Sequence, residues 1–341
     1  MVKINVGIIG LGKVGLLRKD LIIKHPAFNL KSLCDVTKPA ESVISGHQYF
    51  KNYQDLLASD VEAVFIATPN KFTPEIVIAA LNQKKHVFCE KPPGMTVEDV
   101  DRIIAAEKKS EGCVLKFGFN HRYHGAVMEA KKIIDSKKFG KILWIRGVYG
   151  KSGGLNFEKE WRSHRDLAGG GILLDQGIHM LDLFRYFLGD FSEIKSFVTT
   201  AYWNVDVEDN AFALLRNKDG QIAFIHSSST QWKHTFSLEI YLEGGYIAIF
   251  GILSSTRSYG QGERLIVAKK QFEEEAEAVG NPRESVKLFD RDRSWELEIE
   301  EFVNCIQKKS PVLQGNSVDA LEVMRLVHAI YNNDPRGRKR R

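Results

Sequence analysis

The feature that most constrains this chain lies near its start. An apolar, strand-like segment at residues 4–9 runs into Gly10-Leu-Gly12-Lys13-Val14-Gly15, and a helix-like pattern follows over residues 14–24, up to the His25-Pro26 boundary. A glycine turn between a buried strand and a helix has a specific physical use. Gly10 permits a sharp turn, Gly12 lets a pyrophosphate approach the backbone, and Gly15 lets the helix pack on the strand. The helix N-terminus, with Lys13 and Val14, offers unpaired N–H groups and a partial positive charge to phosphate. Asp35 stands twenty positions after Gly15, at the end of a second strand over residues 30–35. A carboxylate there accepts hydrogen bonds from ribose hydroxyls and repels a 2′-phosphate. No arginine follows nearby, so NAD is expected over NADP.

The next hundred residues repeat the alternation. A short helix is expected at 54–59, a continuous apolar strand at 61–68, and a helix from Pro74 to residue 83. A strand follows at 85–89, a helix capped by Thr96 runs to about 110, and a strand covers 114–119. Apolar strands alternating with helices predict a parallel, doubly wound sheet. Beyond Tyr123 the pattern changes. A helix (125–136), a strand (141–149), a glycine- and charge-rich loop and a helix (171–188) lead into successive strands with tight turn signals over 193–267. These imply an antiparallel sheet. Residues 272–284 read as an acidic surface loop, and helices at 294–308 and 317–332 close the chain. The fold class is therefore α/β: a Rossmann-type unit (residues 1–122), an α+β unit with a large, mostly antiparallel open sheet (123–332), and a basic tail (333–341).

With 341 residues, 43% of them hydrophobic and 27% charged, the chain is expected to form about two ordinary globular domains. The longest apolar runs stop at about eight residues, well short of the roughly 18 that a membrane helix needs. The net charge of +5 is accounted for by Arg336, Arg338, Lys339, Arg340 and Arg341. The body of the chain is balanced, and the tail reads as a solvated end rather than a nucleic-acid site. Cys34, Cys89, Cys113 and Cys305 show no zinc spacing, so no metal is expected, and they fit a reduced, cytoplasmic setting. The short, glycine-rich start does not read as a signal peptide.

Several spaced motifs together resemble the Gfo/Idh/MocA family, relatives of glucose-fructose oxidoreductase and inositol dehydrogenase. They are the glycine loop, Ala67-Thr68-Pro69-Asn70, Cys89-Glu90-Lys91-Pro92, Gly118-Phe-Asn120, Trp161-Arg162, and Gly169-Gly-Gly171 leading to Asp175 and His179. The resemblance covers roughly residues 3–331. It implies a nicotinamide-dependent oxidoreductase acting on a sugar or related polyol, with Thr68, Pro69, Asn70, Glu90, Lys91 and Asn120 joining the glycine loop and Asp35 as cofactor contacts. Two positions depart from the family pattern. Thr73 stands where a histidine is frequent, and His121 where an arginine or similar residue is frequent.

Hydride transfer from a secondary alcohol needs a base for the hydroxyl proton. His179 is the candidate, because its free imidazole titrates near neutrality. Asp175 precedes it by four residues, which puts both on one helix face, and Asp182 shares that face as a further partner. The triple glycine before them is expected to let the chain come close to a ligand. Lys91 follows a strand end, where open α/β sheets bind ligands, and the resemblance makes it a substrate-contacting catalytic residue. Its bond to Pro92 is expected to be cis. Arg162 and Arg165, with Trp161, are a candidate clamp for a carboxylate or phosphate. Tyr123 is a candidate substrate contact. Trp232 fits either stacking on a sugar ring or an interface.

The exposed face of the second sheet is expected to be covered by another copy, giving a homodimer or homotetramer. The same motifs also fit an NAD-dependent hydrolase or epimerase that works by transient oxidation. A dinucleotide-binding sensor is disfavoured by the presence of Lys91, Asp175 and His179 together.

Overall fold

The computed structural model describes residues 3–254, 259–272 and 280–334. The basic tail at 336–341 and most of the acidic stretch at 272–284 lie outside them. Among the described residues no helix is long and apolar enough to cross a membrane. The chain divides into two compact units. The first comprises Met1–Phe119, Asp166–Gly169 and Trp295–Met324; the second comprises Asn120–Arg165, Gly170–Ser294 and Arg325–Arg341.

The first unit holds six parallel strands: β1 (Ile4–Ile9), β2 (Phe28–Cys34), β3 (Gln48–Phe50), β4 (Ala63–Ile66), β5 (His86–Cys89) and β6 (Leu115–Phe117). Their order is β3-β2-β1-β4-β5-β6. The helices between them are α1 (Lys13–Lys24), α2 (Glu41–Ile44), α3 (Tyr53–Leu57), α4 (Thr73–Asn82) and α5 (Val97–Lys109). The expected doubly wound sheet is present, and Thr96 caps α5 as expected. Its hydroxyl accepts the Asp99 N–H at 3.2 Å while the Asp99 carboxylate accepts the Thr96 N–H at 3.1 Å, a capping box. The short α2 and the three-residue edge strand β3 had no distinct sequence signal.

The second unit begins with α6 (Gly125–Asp135), preceded by a 3-10 turn, Asn120–Tyr123. Its eight strands are β7 (Ile142–Gly150), β8 (Phe191–Thr199), β9 (Asn210–Asn217), β10 (Ile222–Ser228), β11 (Thr235–Leu242), β12 (Gly245–Ile252), β13 (Tyr259–Lys269) and β14 (Glu284–Phe289). The sheet order is β14-β13-β12-β11-β7-β10-β9-β8. All pairs are antiparallel except β7 with β10, because β7 is inserted between β10 and β11 by a crossover that includes α8 (Ile178–Leu188). β14 was not expected from the sequence; it is an edge strand exposed along most of its length, so it lacks an apolar stripe. Between β7 and α8 the chain also forms the one-turn α7 (Arg165–Ala168).

α9 (Ser294–Lys308) and α10 (Ser317–Asn333) end the described chain. The stretch of α9 from Trp295 onward belongs to the first unit. Phe302 meets Phe65 and Phe88 edge-on at 5.6 Å, while Phe65 stacks on Phe88 at 5.0 Å. These rings and Ile299 and Val303 share one buried cluster with β1, β2, β4 and β5.

The same helix closes a buried ion cluster. Arg18 of α1 is fully buried, with its guanidinium 4.4 Å from the ring centroids of both Phe88 and Trp295. Trp295 is half-buried and serves as one wall for this cation. Arg18 Nε donates to Glu90 at 2.7 Å, and its terminal nitrogen pairs with both Glu90 and Glu298. Glu298 is completely buried, and its second oxygen has no hydrogen-bond partner among the described residues. Burial pushes its carboxyl up to about 7, against the pull of Arg18 and with help from the Glu90 charge. Below that value, and down to the ordinary 4.5, the folded protein keeps a proton that the unfolded chain has released. Stability from this group is therefore lost as pH rises through that window. Glu298→Gln, which is neutral at every pH, is expected to match wild type in urea unfolding at pH 5. At pH 8 it should be the more stable of the two by on the order of 2 kcal/mol. Parallel stability curves for the two proteins would remove this assignment.

Candidate functional site

In a parallel sheet of this order, ligands bind beyond the carboxyl ends of the strands. The glycine loop follows β1, Asp35 follows β2, Thr68–Asn70 follow β4, and Glu90 and Lys91 follow β5. Gly10 has φ +93°, and a Cβ there would sit 2.5 Å from the Ala67 carbonyl oxygen. At Gly15 a Cβ would lie 1.9 Å from the Gly10 carbonyl oxygen, so the close approach it permits is of α1 to its own turn as well as to the sheet. Gly12, the N-cap of α1, is exposed, and a Cβ there would meet nothing within 4 Å. Lys13 is exposed and Val14 half-buried beside it. This cradle fits a dinucleotide. Its tight contacts lie on the protein side, and open space lies above Gly12 and the first N–H groups of the helix.

The Asp35 carboxylate accepts the Leu11 N–H on Oδ2 at 2.7 Å and the Thr37 N–H on Oδ1 at 2.9 Å. One backbone bond to each oxygen fixes its orientation, and each oxygen retains a further lone pair. Thr68 Oγ1 lies 3.0 Å from Thr73 Oγ1. Thr73, one of the two departures from the family pattern, is buried against the Thr68 and Pro69 carbonyls. Asn70 is buried and donates to the Ala168 carbonyl at 2.8 Å, so its amide nitrogen serves the chain itself. Glu90 is held by Arg18, as described, and the Lys91–Pro92 peptide is cis, as expected.

In the second unit, Asp175 and His179 do not share one regular helix. Leu173–Gly177 form a π-helical turn that runs into α8, a local geometry frequent at functional sites. The turn is built on Glu208, which accepts the Gly171 N–H at 2.8 Å and the Leu173 N–H at 3.0 Å and receives the Tyr331 hydroxyl at 2.8 Å. Burial raises the Glu208 carboxyl. The triple glycine therefore has a different purpose from the one expected. A Cβ at Gly171 would lie 2.0 Å from the Glu208 carbonyl oxygen, and one at Gly170 would lie 2.3 Å from the Tyr331 hydroxyl. Room is needed there for the protein's own atoms.

Asp175 lies between two cations, with Lys151 Nζ at 3.1 Å on one oxygen and Arg162 Nε at 3.3 Å on the other. Arg162 itself lies over the Trp161 ring at 4.4 Å. Arg165 does not join Arg162 as a clamp. Its guanidinium donates twice to the Asp206 carbonyl, at 3.0 and 2.8 Å, because its own backbone N–H is docked on the Asp206 carboxylate. Asp182, expected as a further partner on that face, is engaged by Arg122. It is fully buried in a bidentate pair with Arg122, at 2.8 and 2.6 Å. That pair docks the Asn120–Tyr123 turn on α8.

The consequence is a contact that spacing did not reveal: the His121 ring stacks on the His179 ring, centroids 3.7 Å apart and planes within 15°. Asn120 is buried, donating to Ser294 Oγ at 3.0 Å with its carbonyl oxygen 3.0 Å from His121 Nδ1. Tyr123 is buried as well. Lys151, just past the end of β7, is the site residue that sequence reading overlooked; its place directly after a long strand was the available signal. Trp232 is 63% exposed and meets Tyr202 edge-on.

Two family models cover more than two thirds of the chain between them: "Oxidoreductase family, NAD-binding Rossmann fold" over residues 4–119, and "GFO/IDH/MocA C-terminal domain" over residues 127–248. Among curated proteins, the chain is 38% identical over 143 residues to levoglucosan dehydrogenase of Pseudarthrobacter phenanthrenivorans, covering 41% of this chain and 36% of that enzyme. It is 29% identical over 238 residues to myo-inositol 2-dehydrogenase of Thermotoga maritima, covering 66% and 68%. Among solved structures, levoglucosan dehydrogenase in complex with NADH and levoglucosan matches the fold with a TM-score of 0.84. That match covers 98% of both chains at 23% identity.

Gly12→Ala is expected to leave the melting temperature unchanged and to weaken NADH binding by about tenfold or more, since its Cβ would occupy the space over the phosphate cradle. Gly15→Ala should instead lower the melting temperature by several degrees, through its clash with the Gly10 carbonyl. Fluorescence titration with NADH and thermal melts check both, and the reverse pattern would contradict the cradle. The chain belongs to the Gfo/Idh/MocA family of oxidoreductases, carrying the family's NAD-binding Rossmann fold and its C-terminal domain.

Proposed function

We propose that this protein is an NAD-dependent dehydrogenase that oxidises a secondary hydroxyl of a sugar, polyol or nucleotide-linked sugar, or runs the reverse reduction. The observation that carries the reading is the Asp175–His179 pair. A carboxylate steadied by Lys151 and Arg162 stands one turn before a buried imidazole, in a chain whose family binds a nicotinamide coenzyme. The residues of the first unit fit that coenzyme. Gly10, Gly12 and Gly15 cradle its phosphates with the first N–H groups of α1, and Asp35 accepts from its ribose. A 2′-phosphate would meet the Asp35 carboxylate, which favours NAD over NADP. When bound, NAD supplies the hydride acceptor.

The chain's own groups handle the proton. His179 takes it from the reacting hydroxyl as the C–H bond gives up its hydride, and returns it in the reduction. Lys91, as an ammonium, is suited to donate a hydrogen bond to a substrate hydroxyl and favour its alkoxide character. Asp175 orients the hydroxyl. Arg162 contributes its charge through Asp175, so the site is less suited to clamping a substrate anion than two free arginines would be. Two dehydrogenase relatives, acting by name on levoglucosan and myo-inositol, support a polyhydroxylated substrate.

NADH formation at 340 nm with a panel of levoglucosan, myo-inositol, glucose and UDP-glucose tests the reading. Lys91→Ala and His179→Ala are each expected to lose on the order of 100-fold or more in kcat, with His179→Ala keeping NADH affinity. NADH should bind at least about tenfold more tightly than NADPH. Undiminished turnover in both variants would sink the catalytic assignments. Conversion of substrate with no net NADH would replace the dehydrogenase with a transiently oxidising hydrolase or epimerase.

The outer face of the second sheet supports self-association. Phe197 (70% exposed) pairs across to Phe212, which stacks on His226 at 4.1 Å, and Leu214 (52%) and Leu288 (71%) lie exposed on other strands of the same sheet. Exposed apolar side chains on a sheet face are most simply covered by a second copy, giving a dimer or a dimer of dimers. Light scattering is expected to report a homo-oligomer, and Phe197→Asp with Leu214→Asp should shift it toward monomer. A wild-type monomer at micromolar concentration would rule this out.

A further inference from the structure

Tyr149, on β7, is buried, and burial raises its phenol well above the ordinary value, so it remains a hydrogen-bond donor across the working pH range. Its hydroxyl lies 3.1 Å from His121 Nε2, the one acceptor found for it among the described residues. A buried hydroxyl gives its proton to such an acceptor. Nε2 of His121 therefore carries a lone pair, and the ring proton sits on Nδ1, aimed at the Asn120 carbonyl oxygen 3.0 Å away. Asn120 is itself anchored by its bond to Ser294. Both ring nitrogens are thus engaged in the neutral form of His121.

The ring so fixed lies flat on His179 at 3.7 Å. A second cation at that separation would repel an imidazolium; a neutral ring face attracts one. We infer that His121 is a positioning residue for His179: held neutral by Tyr149 and Asn120, it presents its π face to the neighbouring imidazole and stabilises that imidazole's protonated form. The inference rests on the proposed role of His179 as the base, and it assigns to His121 the task of supporting the charge that the base acquires.

Charged groups near the pair are themselves paired. On the 3-10 turn, Arg122 is neutralised by Asp182, which itself lies on α8. In the π-helical turn, Asp175 faces Lys151 and Arg162. β7 contributes Tyr149. β10 brings Ser227 near Gly177, while His226 stacks on Phe212 of the same sheet. His124 meets the His121 ring edge-on at 5.4 Å and pairs with Glu263.

The test needs no substrate. The imidazole of His179 is titrated by NMR in histidine-labelled full-length protein, with its signal assigned by its loss in His179→Gln. His121→Leu removes the ring face and is expected to lower the His179 midpoint by about one pH unit, a tenfold change in acid constant. His121→Phe restores a face without ring nitrogens and should return the midpoint to within a few tenths of a unit of wild type. Tyr149→Phe frees Nε2 of His121 to take a proton, so His121 should begin to titrate and His179 should fall. Melting temperature and NADH affinity verify that each variant is folded. A His179 midpoint unmoved by all three changes overturns the inference, as does a fall in His121→Phe as large as that in His121→Leu. Either result leaves the base assignment standing, because that is decided separately by turnover in His179→Ala.

Discussion

A guanidinium with no access to water sets the terms for the dinucleotide-binding unit. Taking a charge out of water costs several kcal/mol unless partners replace its hydration. Arg18 finds them in two carboxylates and two aromatic faces, and each belongs to a different part of the chain: Glu90 at the end of β5, Glu298 and Trp295 on α9, Phe88 within β5. Displacing α1, the β5 terminus or α9 would strand a buried charge. The helix whose N-terminus forms the coenzyme cradle is thereby locked to the strand end that carries Glu90 and Lys91. Glu298 retains its proton so far up the pH scale because it is buried away from water, with the nearby Glu90 charge adding to the effect.

The second unit uses the same device in smaller pieces. Glu208 satisfies backbone donors at the start of the π-helical turn, and Arg122 with Asp182 fixes the Asn120–Tyr123 turn on α8. Neither pair is placed to react with a substrate. Each holds an element that carries a candidate site residue: Asp175 a few positions beyond Gly171, and His121 beside Arg122. Buried pairs of this kind are strongly destabilising to break from one side, so they give reactive side chains a fixed frame.

Much of this frame was legible in the sequence because it is local. The glycine loop, the Thr96 capping box and the apolar strands each signal themselves within a few residues, and α9 fell at residues 294–308 as the pattern indicated. Less legible were the parts that depend on partners far along the chain. Arg18 looks like any helical arginine until Glu298, 280 positions away, is placed against it. Gly169-Gly-Gly171 suggested access for a ligand, since nothing local shows that Glu208 and Tyr331 fill that space. Arg165 seemed equivalent to Arg162 by proximity, and only the docking of Asp206 separates them. Edge strands β3 and β14 were silent because a strand with one partner and solvent on its flank needs no apolar stripe.

The two positions where the chain departs from its family's pattern are instructive for the same reason. Thr73 is small enough to turn its hydroxyl back onto the Thr68 and Pro69 carbonyls, so the segment after β4 is braced from within. His121 is flat and carries one donor and one acceptor in its neutral form, which lets it bridge Asn120 and Tyr149 while lying against His179. An arginine there would add a permanent charge beside the imidazole expected to become charged, and it would have no acceptor for the Tyr149 hydroxyl. Both residues are matched to neighbours present in this chain.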